Sequence, residues 1–245
     1  MYQFFVPDEN IGQERIRITG ADVNHISHVL RMRPGEKIRV SGQSDQAFFC
    51  HIEEITDDEV LAVIDERDEL GTEFANKVYL FQGLPKSDKM ELIIQKAVEL
   101  GVYEIIPVAM KNCVVKLDDK KADSKGKRWQ AIAESAAKQS KRTIIPKVCR
   151  PISFQEALER AKELDVALVP YENERGLAAT REQIRSIPRG ASIGIFIGPE
   201  GGFAPEEIQT VDAEQMHRIS LGRRILRTET AGLATLSMLV YKLDD

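Results

Sequence analysis

The sequence predicts an α/β protein in two parts, a strand-rich N-terminal segment and a longer stretch in which strands and helices alternate. Three observations carry this reading. Short alternating or apolar runs crowd the first 72 residues, separated by Gly, Asp and Asn turns. From Lys77 onward strand and helix patterns take turns. Two late apolar runs each end in a glycine-bearing loop, "IGPEGGF" and "LGRRIL". The first observation implies a small barrel or sandwich, and the others imply a largely parallel sheet covered on both faces.

The elements follow in order. "QFFV", "ERIRITG", "EKIRVSG", "AFFCHIEEI" and "EVLAVID" read as strands. One helix interrupts them, "ADVNHISHVLRM", with Val23, Ile26, Val29 and Leu30 on one face. The acidic segment 65–76 reads as a linker, which divides the chain into 1–72 and 73–245. "KVYLFQG" is the first strand of the second part. Helix 88–100 starts with Asp88 three residues before Glu91, a capping-box spacing, and Gly101 suits its C-terminal cap. "EIIPVAM" is a strand, and "SKGKRWQAIAESAAKQS" a helix with Trp129, Ile132, Ala133, Ala136 and Ala137 at helical spacing. "FQEALERAKEL" is amphipathic and leads into the strand "VALVPY". After the strand "ASIGIFIG" and its glycine loop, Pro205 opens a short helix with Glu206 and Glu207 in its first turn. The strand "HRISL" follows, and a helix from about Thr228 to Leu243, with Thr228 as its N-cap, closes the chain.

Bulk properties narrow the function. Net charge is −5, but residues 53–73 hold ten acidic side chains and one Arg, whereas 111–147 hold eleven basic and four acidic ones. Arg31, Arg33, Lys37 and Arg39 form a second basic cluster. Phosphates respond to such patches rather than to the average, although Lys-rich stretches also serve as plain solvated surface. No apolar run approaches the ~20 residues of a membrane span, and the N-terminus lacks a secretory pattern. Cys50, Cys113 and Cys149 are far apart, which argues against disulfides or a cysteine zinc site and for a reducing cytoplasm. His25 and His28 share a helix face but have no further ligands nearby in sequence, so no metal is expected.

The glycine loop after "IFI" fits neither a P-loop nor a dinucleotide fingerprint. By itself it reads first as a turn. Glu200 would oppose a phosphate and suit a ligand with cationic groups, such as S-adenosylmethionine. The second loop strengthens the ligand reading, because two glycine-bearing loops at the ends of two strands make a two-sided pocket. Ile225 and Leu226 would wall it.

At these residues the sequence resembles a known family. "IGPEGGF…EI" followed by "LGRRILRTETA" is similar to the 16S ribosomal RNA uridine-N3 methyltransferases (RsmE) of the SPOUT class. "KSDKMELIIQKAVELGV", "RW..I..ESAAKQS.R" and "H..HVLRMRPGE" match the family's other blocks in order, so the likeness spans nearly the whole chain. It implies a PUA-like β-barrel joined to a SPOUT α/β domain with a parallel sheet and a deep trefoil knot, which no periodicity argument reveals. It further implies an S-adenosyl-L-methionine-dependent enzyme that methylates N3 of one uracil, position 1498, in 16S rRNA of the 30S subunit. A homodimer is expected as well.

The resemblance assigns residues. Gly198, Glu200, Gly201 and Gly202 in one loop, and Leu221, Gly222, Ile225, Leu226 and Arg227 in the other, would bind the cofactor, with Val169 and its neighbours as a third wall. Arg227 and Glu229 would be catalytic, Arg227 stabilising negative charge or positioning a phosphate and Glu229, with Glu200 as alternative, accepting the proton of N3. Arg31, Arg33, Lys138, Lys141 and Arg142 would contact RNA. Asp88 and Glu91 are expected to cap a helix rather than to catalyse. The family usually carries Arg where this chain has Gln3, so weaker RNA binding, or compensation by Arg15 or Arg17, is expected. An RNA-binding assembly factor without catalysis, or an enzyme modifying another nucleotide, stands as the alternative.

Overall fold

The computed structural model describes residues 1–244. The described chain forms two compact units, Met1–Glu73 with Ala137–Ile145, and Phe74–Ala136 with Pro146 onward.

The first unit is one curled five-stranded sheet. Strands β1 (Tyr2–Phe5), β2 (Arg15–Thr19), β3 (Lys37–Ser41), β4 (Ala47–Ile55) and β5 (Glu59–Arg67) are ordered β1-β3-β4-β5-β2. Only β1 and β3 are parallel. Two register shifts between β4 and β5 add local twist, and so the curvature that makes a partly open barrel of the sheet. The alternation legible in "RIRIT" and "EVLAVID" places Ile16, Ile18, Val60 and Ala62 in one core with Phe4, Ile38, Val40 and Ile52.

The interrupting helix differs from a regular 3.6-residue repeat. Helix α1 (Ala21–Asn24) runs into a wider π turn, His25–Val29, with Leu30 N–H bonded to the His25 carbonyl. The extra residue in the turn advances the inward face, so Val23 and Ile26 are buried and Leu30 packs on the core. Val29, expected on that face, is 62% exposed.

The second unit is a parallel sheet of β6 (Lys77–Gly83), β7 (Glu104–Ala109), β8 (Lys147–Val148), β10 (Val166–Pro170), β11 (Ser192–Ile197) and β12 (His217–Ile219), ordered β12-β10-β11-β6-β7-β8. A two-residue β9 (Ile152–Ser153) pairs with β7. The central strands β6 and β11 are continuous apolar runs buried on both faces, as parallel strands under helices require. Phe81 and Phe196 stack with centroids 4.2 Å apart.

Helices α2 (Lys89–Glu99), α3 (Asp119–Ser140), α4 (Phe154–Ala161), α5 (Leu177–Arg185), α6 (Pro205–Ala213) and α7 (Thr228–Leu243) complete the chain. Gly101 follows α2 at φ +85°, the expected C-terminal signal. Asp88 stands at the N-cap of α2 but its side chain makes no cap hydrogen bond, so the expected capping box does not form there. The device is present on α4, where Ser153 and Glu156 satisfy each other's backbone N–H groups. Helix α3 begins before the expected Ser124. Helix α5 was not evident in the sequence, because its buried residues within the helix are only Thr180 and Ile184 and its polar face is long. Thr228 is the first helical residue of α7 rather than its N-cap, a position held by Arg227 with extended backbone.

The chain leaves the edge strand β12 and returns across the sheet, where α7 packs on β6, β11 and α2. The architecture is the α/β one anticipated, a curled strand-rich unit followed by a parallel sheet covered by helices.

Candidate functional site

The carboxyl ends of β10, β11 and β12 carry three loops, and these line a cleft of ≈ 370 Å³ in the second unit. Ligands of open parallel sheets bind at this end, where strand order changes direction.

The β11 loop is built by close packing. Gly198 follows the strand, and a Cβ there would stand 3.2 Å from the backbone of Gly202 and Phe203, tighter than most real Cβ contacts, so a larger residue would push the turn open by a few tenths of an ångström. Gly202 sits at φ +66°, in the left-handed region that L side chains rarely adopt, and donates its N–H to the Pro199 carbonyl at 2.9 Å. Asn112 braces the loop from outside, with Nδ2 donating to the Gly201 and Gly202 carbonyls at 3.1 and 3.3 Å. From inside, the Thr228 hydroxyl donates to the Gly198 carbonyl.

The other two walls follow. Pro170, Tyr171 and Glu172 line the cleft beyond β10; Val169 itself is wholly buried within the strand, so its successors form the wall expected there. Leu221, Gly222, Arg223, Arg224, Ile225, Leu226 and Arg227 form the third side. Ile225 is 85% exposed at the rim, whereas Leu226 is half-buried. Burial of an apolar ligand face against Ile225 would remove that area from water.

One cation joins two carboxylates here. Lys89, the first residue of α2, lies 3.0 Å from Glu200 Oε1 and 3.2 Å from Glu229 Oε2. The Lys86 backbone N–H also donates to Glu200, at 3.1 Å. Partial burial pushes the Glu200 carboxyl up, but Lys89 and backbone N–H groups outweigh it and hold the group below the ordinary glutamate value. Lys89 is raised, chiefly by its hydrogen bond to Glu200 and further by Glu229. Apolar walls, glycine backbone and mixed charge suit a small amphipathic ligand with a flat apolar part and a charged tail. Glu172, beside Gly202, adds an acceptor for hydroxyl or ammonium groups.

The five RNA-contact candidates divide. Arg31 and Arg33 are exposed on the first unit. Lys138 pairs with Asp22 at 3.2 Å, and Lys141 Nζ donates to the Met1 carbonyl at 2.7 Å. Burial and the Arg39 guanidinium push the Lys141 amine below its ordinary value. Arg142, unlike the other four, is buried: its side chain is 4% exposed and paired with Glu73. Gln3 is likewise interior. It accepts from Arg39 at 2.7 Å and donates to the Arg142 carbonyl, so the change from the family's usual Arg falls in a buried network. Arg15 and Arg17 face Glu53 and Glu59. His28 shares a 2.8 Å hydrogen bond with Ser27, and among the described residues no three His, Cys, Asp or Glu gather as a metal site. None of the described helices is long and apolar enough to cross a membrane.

Lys89, Asn112, Gln82 and Glu172 were not singled out from sequence. Lys89 lies in a block that drew notice, "KSDKMELIIQK", but its partners are far along the chain and no local spacing marks it.

Known proteins agree with this architecture. The RNA methyltransferase domain family matches residues 72–240, and the RNA methyltransferase PUA domain family matches 18–65. Ribosomal RNA small subunit methyltransferase E of Bacillus subtilis (strain 168) is 41% identical over 228 residues, covering 92% of this chain and 89% of that protein. Its counterpart in Mesomycoplasma hyopneumoniae (strain 232) is 35% identical over 97% of this chain and 98% of its own length. The crystal structure of a ribosomal RNA small subunit methyltransferase E from Neisseria gonorrhoeae bound to S-adenosyl methionine aligns with a TM-score of 0.83 at 30% identity, over 98% of this chain and 97% of that one. By sequence over nearly its full length and by fold, the chain belongs to the ribosomal RNA small subunit methyltransferase E family of RNA methyltransferases.

Proposed function

We propose that this protein transfers a methyl group from S-adenosyl-L-methionine to N3 of uracil 1498 in 16S rRNA, within the 30S particle. The observation that carries the reading is the three-loop cleft, in a chain whose relatives are ribosomal RNA methyltransferases. Residues 1–72 serve as the RNA-binding part and 73–245 as the methyltransferase. The protein acts in the cytoplasm as a homodimer.

The residues present fit the cofactor. Gly198, Gly201, Gly202 and Gly222 let backbone approach it, Leu221, Ile225 and Leu226 cover the adenine, and Glu200 and Glu172 balance its cationic groups. When bound, S-adenosylmethionine supplies a methyl carbon that leaves sulfur as the N3 lone pair attacks.

The chain's own residues handle the proton and the charge. N3 of uracil carries a proton and is a poor nucleophile until that proton departs. Glu229 is the acceptor in this reading. Glu200, held below the ordinary glutamate value and fixed by the Lys86 N–H and Lys89, serves as an anchor. Arg227, at the rim, stabilises the negative charge that spreads onto the flanking carbonyl oxygens. A base-paired uracil hides N3, so the nucleotide must be unpaired or turned out of its stack, and Arg31 and Arg33 hold the surrounding phosphates.

The test uses 30S subunits from cells lacking the gene, incubated with the protein and methyl-labelled S-adenosylmethionine. Digestion and mass spectrometry are expected to place 3-methyluridine at one site. Tight cofactor binding without label on particles or naked RNA would refute the substrate. Absence of both would leave an RNA-binding assembly factor. Light scattering of the purified protein decides the dimer.

A further inference from the structure

Lys89 lines the cleft and pairs with both of the carboxylates invoked above. Lys89 reaches Glu200 on the β11 loop and Glu229 in the first turn of α7 with one ammonium, at 3.0 and 3.2 Å. Two carboxylates from separate elements are thereby brought within about 6 Å of each other, a separation at which like charges in a partly desolvated cleft repel appreciably. Their tethers are unequal. Glu200 also accepts from the Lys86 N–H, whereas Glu229 Oε2 is buried and makes no aligned hydrogen bond, so the ammonium is its ion partner.

We propose that Lys89 is the positioning residue of the methyl-transfer site: its ammonium fixes Glu200 and Glu229 in one arrangement, so that ordering the cofactor loop also sets the carboxylate that receives the N3 proton. This rests on the proposed function above. Without the ammonium, one carboxylate takes up a proton or swings aside, and Glu229 then cannot accept another. A lysine suits the task because its compact charge carries three donors that diverge to two partners, which a planar guanidinium does less well. Its amine is raised by those two partners, so it stays charged through the physiological range.

The experiment compares Lys89→Met, Lys89→Arg, Glu229→Gln and the Lys89→Met/Glu229→Gln double variant by kcat and KM on 30S subunits. S-adenosylmethionine affinity is measured by calorimetry without RNA for Lys89→Met, Glu200→Gln and the Lys89→Met/Glu200→Gln double variant. Lys89→Met is expected to lower kcat about 10- to 100-fold, the range of one charge-assisted contact, with KM for the particle unchanged. Lys89→Arg recovers part of that loss. In the Glu229→Gln background, Lys89→Met adds less than about twofold, because its effect on the reaction passes through Glu229. Cofactor affinity falls by a similar factor in Lys89→Met and Glu200→Gln, and no further when the two are combined. Wild-type kcat in Lys89→Met, or losses that multiply independently with those of Glu229→Gln, overturns the proposal. If Lys89→Met does not fold, Lys89→Gln takes its place throughout. If the wild-type protein leaves 30S subunits unmethylated, the functional reading fails, and the calorimetric comparison still judges whether Lys89 acts through Glu200.

Discussion

The Thr228 hydroxyl joins the start of α7 to the end of β11, donating to the Gly198 carbonyl at 2.7 Å and accepting from Gln82 Nε2 at 2.9 Å. A single buried side chain thus links the last helix, the glycine loop and the central strand β6. Thr228→Val keeps the shape and removes both bonds, leaving a carbonyl and an amide without that partner. We expect a loss of roughly 1–3 kcal/mol in urea unfolding and weaker S-adenosylmethionine binding, with Thr228→Ser close to wild type. Equal stability of the Val and wild-type proteins would remove this link from the account.

Arg142 and Arg31 separate structure from recognition. Arg142→Met leaves the half-buried Glu73 carboxylate with only the Thr143 and Ile144 backbone N–H groups, and roughly 1–3 kcal/mol of stability should be lost. Arg31→Ala and Arg33→Ala should leave the melting temperature near wild type. Each should reduce the slope of log affinity for RNA against log salt by about 1. A change in salt slope for Arg142→Met, measured at a temperature where it is folded, would contradict its assignment.

The cofactor loop should depend on pH on its acid side. Glu200 is held below its ordinary value, so its contribution is complete above the unfolded-state value and is lost as pH falls through the folded one. Lys89 pairs with it and with Glu229, and the other charged residues lining the cleft are Glu172, Arg223, Arg224 and Arg227. Calorimetry should show cofactor affinity flat through neutral pH and falling once pH drops below the ordinary glutamate range. Glu200→Gln should lower the plateau and flatten the acid limb. An unaltered limb in that variant would assign it to another group.

The three cysteines should be inert in the folded protein. All are buried and unpaired. Burial pushes the Cys50 thiol up to about 12, and raises Cys113 and Cys149 as well, the last further by its hydrogen bond to Glu104. At pH 8 each stays a neutral thiol, so a maleimide should label the native chain only as fast as it unfolds. Rapid labelling of any one of them without denaturant would show local opening there.

Glycine loops after apolar runs, strand and helix periodicities, and the terminal helix could be read directly from the sequence, because each is set by residues a few positions apart. "IFIGPEGGF" announces a buried strand and a close glycine turn, with Gly202 in the left-handed region, and the structure places a cleft wall there. What only the tertiary structure decided were relations between distant residues. Lys138, Lys141 and Arg142 read as a basic patch, yet Arg142 spends its charge on Glu73, and no local pattern reports a buried partner 69 residues away. Val29 left its predicted face because a π turn inserts one residue, a shift invisible to a fixed helical period. Lys89 gained its place only when the sheet carried Glu200 and Glu229 to the head of α2. Local spacing encodes backbone geometry; charge pairing in a cleft depends on which chain ends the sheet order brings together.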